Sequence, residues 1–408
     1  MSGPLTADLG LGAADLGLLT SVYFLVFAGA QIPVGSLLDR FGPRRIQSVL
    51  LLIAAAGSIL FATSTSFPSL LFARALIGLG VAASLMAGLK AIIVWFPRER
   101  VALVNGYMIM LGSLGAVTAT VPAEALLGWT GWRGLFELLA LATAGVAALI
   151  YLLVPESPPA QRHHSSWHAL KEIYSDPRFW RIAPLSAACV GSAWAFQALW
   201  AAPWLTDIEG LDRPSLTTHL FVMALGISGG ALLLGTVADR LRRCGVEIEV
   251  LFAVVAMLFV VAELALILRL PLPSLLPWSV VSVMGAATVL SYAIIAGYFP
   301  TELAARANGA LNLVLFGWAF VVQWGTGLVV AQWSPQNGHY PAVAYQTAFS
   351  VSAALQVLAL VWFVCPWIHS VVRRAIGACS EEPAIDWNEP LIQPADAAIL
   401  EPHEPAEW

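Results

Sequence analysis

Two cations, Arg74 and Lys90, stand inside one long apolar run of this chain, and Glu124 and Glu263 stand near the ends of two others. A charge surrounded by hydrocarbon is costly, so such residues face a wet cavity, meet a partner or mark a site. With two cations and no acid on its helix, the stretch carrying Arg74 and Lys90 would attract an anion. The plainer alternative is that both long stems reach out to headgroups. Glu124 precedes Arg133, and Glu263 precedes Arg269; either acid could load and release a coupling proton as its exposure changes. A solvated mouth or an ion pair is the plainer reading of both.

Trp194 and Gln197 are three residues apart and share a helix face, so an aromatic ring and an amide would look into the same space. That combination suits a pocket for a small organic solute, whereas Trp200 and Trp204 fit an interfacial belt better. Tyr292, Asn308, Asn312 and Gln323 are further polar candidates, with helix-to-helix hydrogen bonds as the plainer role. Asp39 and Asp239 each close an apolar run at its C-terminal end, where the helix dipole is already negative, so each needs positive potential nearby.

Other chemistries lack their parts. Gly226-Ile-Ser228-Gly-Gly230 fits the hydrolase pattern GxSxG, but the seven histidines fall in loops, helix ends or the tail, leaving the serine without a base. The four cysteines show neither disulfide nor metal spacing, and no GxxxxGK[ST] loop is present, so no cofactor, metal or ATP site is expected. Small residues for close packing explain the GxSxG segment.

The elements that must carry these residues are membrane helices. Of 408 residues, 59% are hydrophobic and 11% charged, and the mean hydropathy is +0.79; a soluble protein carries about 25% charged residues. Eleven apolar runs are long enough to cross a bilayer: 14–38, 46–66, 69–95, 102–127, 131–154, 179–205, 215–238, 249–268, 274–298, 307–332 and 342–366. Lys and Arg concentrate in one alternating set of loops, which holds Arg40, Arg44, Arg98, Arg178, Arg240 and Arg306, while the other set holds Arg133, Arg213 and Arg269. Positive residues stay on the cytoplasmic side, so the first set is expected to be cytoplasmic, with the C-terminus.

Between the fifth and sixth runs lies a polar linker whose Trp167, Leu170, Ile173 and Tyr174 predict a short amphipathic helix on the bilayer surface. The tail beyond Ser380 carries acids and prolines but no Lys or Arg, and predicts disorder. Neither the net charge of −5 nor its distribution supports nucleic-acid binding. The N-terminus lacks the basic start and apolar run of a signal peptide.

Gly35-Ser-Leu-Leu-Asp39-Arg40 and Gly235-Thr-Val-Ala-Asp239-Arg240 match at an offset of 200 residues, and Phe96-Pro97-Arg98-Glu99 matches Phe299-Pro300-Thr301-Glu302 at 203. Two matches at nearly one offset predict two structural repeats. The same offset pairs Leu205-Thr206 with Leu5-Thr6; a whole helix precedes the first pair and only four residues the second. The first repeat is therefore expected to lack its opening helix, giving five plus six crossings where six plus six would be complete. A start codon assigned too late is one explanation, and a truncated or degenerate protein the other.

The stretch Gly35-Ser-Leu-Leu-Asp39-Arg40-Phe41-Gly42-Pro43-Arg44-Arg45 resembles the GxLaDrxGxrr signature of the major facilitator superfamily, and Arg74-Ala-Leu-Ile-Gly78-Leu-Gly80 resembles its fourth-helix motif. The resemblance implies an all-α membrane fold of two pseudo-symmetric half-bundles: 1–154, then a central loop 155–178, then 179–372, followed by a disordered acidic tail 373–408. It implies that Gly35 permits close helix packing while Asp39, Arg40 and Arg44, echoed by Gly235, Asp239 and Arg240, form a latch favouring the outward-open state. It also implies that Arg74 faces the interior, tied to coupling or to substrate.

The expected function is secondary transport of a small polar or anionic organic solute, as proton-coupled uptake, with Arg74, Lys90, Glu124, Trp194, Gln197, Tyr292 and Asn312 along the pathway. The chain would work as a monomer in the bilayer of a bacterial inner membrane, and not as an enzyme. Drug/proton efflux is the rival; Gly106, Gly112 and Gly115 do not form the GPxxGG core of antiporters, which counts against it. Nitrate porters are disfavoured because runs 14–38 and 215–238 hold no interior arginine. A non-transporting membrane receptor on the same fold is the alternative from another class.

Overall fold

The structure is a computed structural model that describes residues 2–156, 166–336 and 338–380. Apart from one antiparallel bridge between Gln336 and His339, regular structure among the described residues is helical. In hydrocarbon a backbone must satisfy its own hydrogen bonds, and a helix does so within one segment. The long helices are α1 (Ala13–Leu38), α2 (Arg40–Thr63) and α3 (Phe67–Ile92), then α4 (Arg98–Thr118) and α5 (Val121–Leu153). They continue with α6 (Pro177–Asp207), α7 (Arg213–Arg243), α8 (Ile248–Ile267) and α9 (Leu275–Tyr298), then α10 (Thr301–Val330) and α11 (Ala342–Cys365).

Among the described residues, 10 helices are long and apolar enough to cross a membrane, where eleven runs were expected; α4, of 21 residues, is not one of the ten. The expected run 102–127 is shared between α4 and the start of α5, with a break at Ala119 and Thr120. Inside α5 the helix is interrupted at Gly131, whose φ of 68° is a left-handed value that suits a residue without Cβ. Gly42, near the start of α2, does the same at φ 79°, with Pro43 behind it to set the first turn of the helix that follows. The glycine of the sequence signature is thus the turn itself. Asp176 and Asp212 cap α6 and α7 by accepting from the backbone N–H of Arg178 at 2.8 Å and Ser215 at 3.3 Å. The Arg178 guanidinium, bonded to the Asp176 carboxyl, holds it below its ordinary range, and the Ser215 side chain, followed by its backbone N–H, does so for Asp212.

Residues up to Val364 make one compact unit, and Cys365 onward a second. Helix continues in the second to Ser380, past the point, residue 373, where a disordered tail was expected; the rest of the tail, 381–408, lies outside the described residues. Within the first unit the polar linker departs from expectation. Its helix Ser166–Ser175 does not lie with its apolar face on lipid: Leu170 and Ile173 are buried in protein, and the Tyr174 hydroxyl donates to the Ala310 carbonyl at 3.1 Å. Burial raises the Tyr174 phenol above its ordinary value. Residues 157–165 of the linker lie outside the described set.

Small residues set the helix spacing. A Cβ on Gly78 would come within 2.7 Å of the Tyr23 carbonyl oxygen on α1, and one on Gly80 within 2.4 Å of the Ala54 nitrogen on α2. The two glycines of the α3 motif therefore hold α1 and α2 at backbone contact. Gly17 and Gly327 do the same for α1 against α10, at 3.0 Å from the Gln323 oxygen and 2.7 Å from the Ala13 oxygen. Gly35 and Gly235 have nothing within 4 Å of such a Cβ, so the close packing expected at Gly35 is found elsewhere. A methyl group forced into a backbone contact costs about 1–3 kcal/mol. Gly80→Ala is accordingly expected to lower the thermal unfolding temperature in detergent, whereas Gly145→Ala, at an open helical site, should leave it unchanged or raise it by an amount worth up to about 1 kcal/mol.

Candidate functional site

A cavity of about 550 Å³ lies where α1, α3, α5, α6 and α7 converge, toward the arginine-poor end of the helices. Its described wall is apolar except for Arg74, Gln197, Trp194, Trp132 and two threonines, Thr20 and Thr120. Arg74 supplies the one formal charge of that wall. Its guanidinium carbon lies 5.0 Å from the Phe61 ring centre and 5.5 Å from that of Phe136. Those two rings are 4.1 Å apart, and Trp132 meets Phe61 edge-on at 5.9 Å. An arginine on aromatic faces keeps its charge in an apolar setting while leaving N–H donors free of committed partners. Its Nε is buried with no hydrogen-bond partner.

The C-terminal half adds Trp194 and Gln197 from α6. Two π-helical segments, Ala187–Gly191 and Phe196–Trp200, flank a short α-helical piece, Ser192–Ala195. Such widened turns redirect side chains and recur at functional positions. The Trp194 indole donates to the Gly285 carbonyl at 2.9 Å and its ring lies 4.7 Å from Phe316, so its orientation is held from two sides. The Gln197 amide nitrogen is buried and unpartnered. Arg74 and Gln197 thus bring spare donors, and no spare carboxylate, to the same described cavity wall.

The structure brings Arg74, Trp194 and Gln197 together and places the other expected pathway residues elsewhere. Lys90 does not enter the cavity wall: its Nζ donates to the Leu38 carbonyl at 2.8 Å, at the C-terminal end of α1 where the helix dipole favours a cation. Glu124 is ion-paired with Arg213, across from α5 to α7, rather than with Arg133. Arg133 instead pairs with Asp8 at 2.9 Å, an acid that also accepts from the Trp132 indole at 3.1 Å. Tyr292 donates to Asn312 at 2.7 Å and joins α9 to α10. Trp200 and Trp204 are buried in protein and form no lipid belt.

The expected latch residues are also distributed differently. The side chain of Asp39 lies outside the described set. Arg40 is exposed, with its guanidinium 5.1 Å from the Phe41 ring centre. Arg44 donates through Nε to the Tyr151 carbonyl at 2.8 Å and lies 3.9 Å from Glu156, while Arg45 reaches Glu156 at 2.6 Å. These contacts tie α2 to the end of α5 within one half. Asp239 pairs with Arg242 and Arg243 of its own helix end, at 3.2 and 2.7 Å, and Arg240 is exposed beside it. Glu156 escaped the sequence reading, although an acid just past an apolar run on the arginine-rich side was a visible signal. Phe61 and Phe136 escaped because a phenylalanine in a membrane helix carries no mark of facing a cation.

The site is thus a largely apolar pocket within a helical bundle, bearing one buried guanidinium. The model of the Major Facilitator Superfamily matches residues 1–323, and the chain belongs to that family, one of transporters rather than enzymes. The chain is 27% identical over 223 residues to the nitrate/nitrite transporter NrtP of a Picosynechococcus strain, covering 47% of this chain and 42% of that one. It is 26% identical over 255 residues to the probable sulfoacetate transporter SauU of Cupriavidus necator, covering 58% and 59%. The matches therefore span about half the length of these relatives. A bacterial homologue of the human lysosomal transporter Spinster, solved inward-facing and unoccupied, shares the fold with a TM-score of 0.72 at 19% identity, over 88% of this chain and 90% of that one.

The hydrogen bond from Arg45 lowers the Glu156 carboxyl below its ordinary value of 4.5. A carboxyl depressed in the folded state adds stability above its unfolded value and loses it as the pH falls through the folded one. The unsubstituted protein is therefore expected to lose thermal stability more steeply than Glu156→Gln as the pH is lowered from 5 to 3. Because both partners are solvent-exposed, the difference should shrink in high salt.

Proposed function

We propose that this chain is a secondary transporter that carries a small organic anion through alternating access, with the cargo's negative group held by Arg74. One observation carries the reading: the single formal charge of the described cavity wall is a buried guanidinium whose Nε has no partner, with the unpartnered Gln197 amide on the same wall. A carboxylate or sulfonate would accept from both, and the rings of Phe61, Phe136 and Trp194 would enclose its organic part. The names of two relatives, a nitrate/nitrite and a sulfoacetate transporter, fit an anionic cargo.

In this reading residues 1–154 and 179–372 move as two half-bundles joined by the loop 155–178, in the inner membrane of a bacterium, with the arginine-rich ends and the C-terminus cytoplasmic. The halves meet at the arginine-poor end through Gly17 and Gly327 and through Glu124 with Arg213. Opening that end would break this ion pair, which makes Glu124 a gate residue. Asp39, Arg40 and Arg44 stay in the proposal as the latch of the opposite end, with Lys90 holding α3 against the end of α1. The working unit is a monomer, and uptake is driven by protons.

The test is direct binding to the purified protein of a panel of small carboxylates and sulfonates with uncharged analogues as controls. A hydrogen bond to a charged group is worth about 1.5–3 kcal/mol, so Arg74→Ala should weaken binding about 10- to 100-fold. Lys90→Ala should leave it unchanged. Binding of anions that survives in Arg74→Ala would overturn the assignment.

A further inference from the structure

Away from the cavity, α8 carries Glu263, which is 1% exposed, near the arginine-poor end of the helix. Neither of its carboxyl oxygens has a hydrogen-bond partner. The polar groups that face it are Gln356 and Ser352 on α11 and the thiol of Cys189 on α6. The Gln356 amide nitrogen donates to the Ser352 hydroxyl at 2.8 Å, which leaves the Gln356 carbonyl oxygen buried and unpartnered.

Among the described residues no ion pair reaches this acid. The ionisable groups on the helices packed around it are engaged elsewhere: on α7, Arg213 pairs with Glu124, His219 contacts Ser274, and Asp239 binds Arg242 and Arg243. On α9, Tyr292 donates to Asn312 and Tyr298 to Glu249, the second acid of α8. On α6, Asp207 accepts from Tyr345 of α11 and from the Tyr340 backbone, and contacts His339, while Arg178 pairs with Asp176 and Arg181 lies against Phe363.

The Ser352 hydroxyl and the second Gln356 N–H are the donors beside the carboxyl, yet both carboxyl oxygens and the Gln356 carbonyl oxygen are without a partner. Two carboxyl oxygens and the Gln356 carbonyl oxygen are all acceptors, and an ionised carboxylate would add charge to a buried apolar surround with no counter-ion. A proton on the carboxyl removes that charge and gives the Gln356 oxygen a donor. From the burial of Glu263 and the orphaned Gln356 oxygen beside it, we infer that Glu263 is a proton-binding site of the C-terminal half, held as the neutral acid at neutral pH and donating to Gln356. The proton comes from water and sits on a carboxyl oxygen; no bond other than O–H forms or breaks. The site stands apart from Arg74 and does not rest on the anion reading.

Infrared spectroscopy of the purified protein at neutral pH, in light and heavy water, tests it. A carbonyl stretch of a protonated carboxylic acid is expected that is sensitive to deuterium, absent in Glu263→Gln and shifted in Gln356→Leu, whose side chain cannot accept. Glu263→Gln keeps shape and neutrality and should fold normally. In an alkaline titration the unsubstituted protein should release about one proton more than Glu263→Gln. An acid band identical in the two proteins, or a carboxylate band lost on substitution, would overturn the inference. A Glu263→Gln protein that fails to fold would do so as well, because a neutral acid tolerates a neutral isostere.

Discussion

A backbone amide in hydrocarbon has no water to bond to, and every level of this structure follows from that constraint. It turns the long apolar runs into helices and leaves the interhelical surfaces to be held by packing rather than by a hydrophobic drive, since lipid is as apolar as leucine. Close backbone approach then becomes the main source of helix affinity. Gly78 on Tyr23, Gly80 on Ala54, and Gly17 with Gly327 are where it occurs.

The same constraint makes each interior polar group a problem that needs a local answer. Arg74 is met by two aromatic faces, Lys90 by the carbonyl end of α1, Tyr292 by Asn312, and Glu124 by Arg213. Where the answer is incomplete, the structure keeps unused bonding capacity: donors on Arg74 and Gln197 at the cavity, and acceptors on Glu263 and Gln356 in the C-terminal half. Spare donors call for an anion and spare acceptors for a proton. These two places are chemically opposite, one at the cavity between the halves and the other within the C-terminal half.

Residue types with strong physical preferences were legible without coordinates. Most membrane crossings and the interior position of Arg74 are legible because hydropathy and a charge in an apolar run each leave a local mark, whereas the left-handed turn at Gly42 shows only in the structure. The pairing of Trp194 with Gln197 on the cavity wall followed from helical spacing. Lys90 and Glu124 were placed in the pathway because spacing along a helix does not tell which neighbour a long side chain will reach. Arg44 and Arg45 meet Glu156, a partner 111 or more residues away to which no sequence offset points.

By itself the sequence determined what lipid selects: helix, loop charge and the short list of ionisable residues that hydrocarbon would not tolerate unaided. Tertiary structure decided which of those residues share a space. The widened turns of α6 aim Trp194 and Gln197 at the cavity, and the meeting of α2, α3 and α5 puts two phenyl rings under Arg74. It also left Glu263 facing Gln356 from another helix. The reason is that solvation is a local property of a side chain and can be read one helix at a time, whereas partnership depends on helix rotation and depth, which only the packed bundle sets.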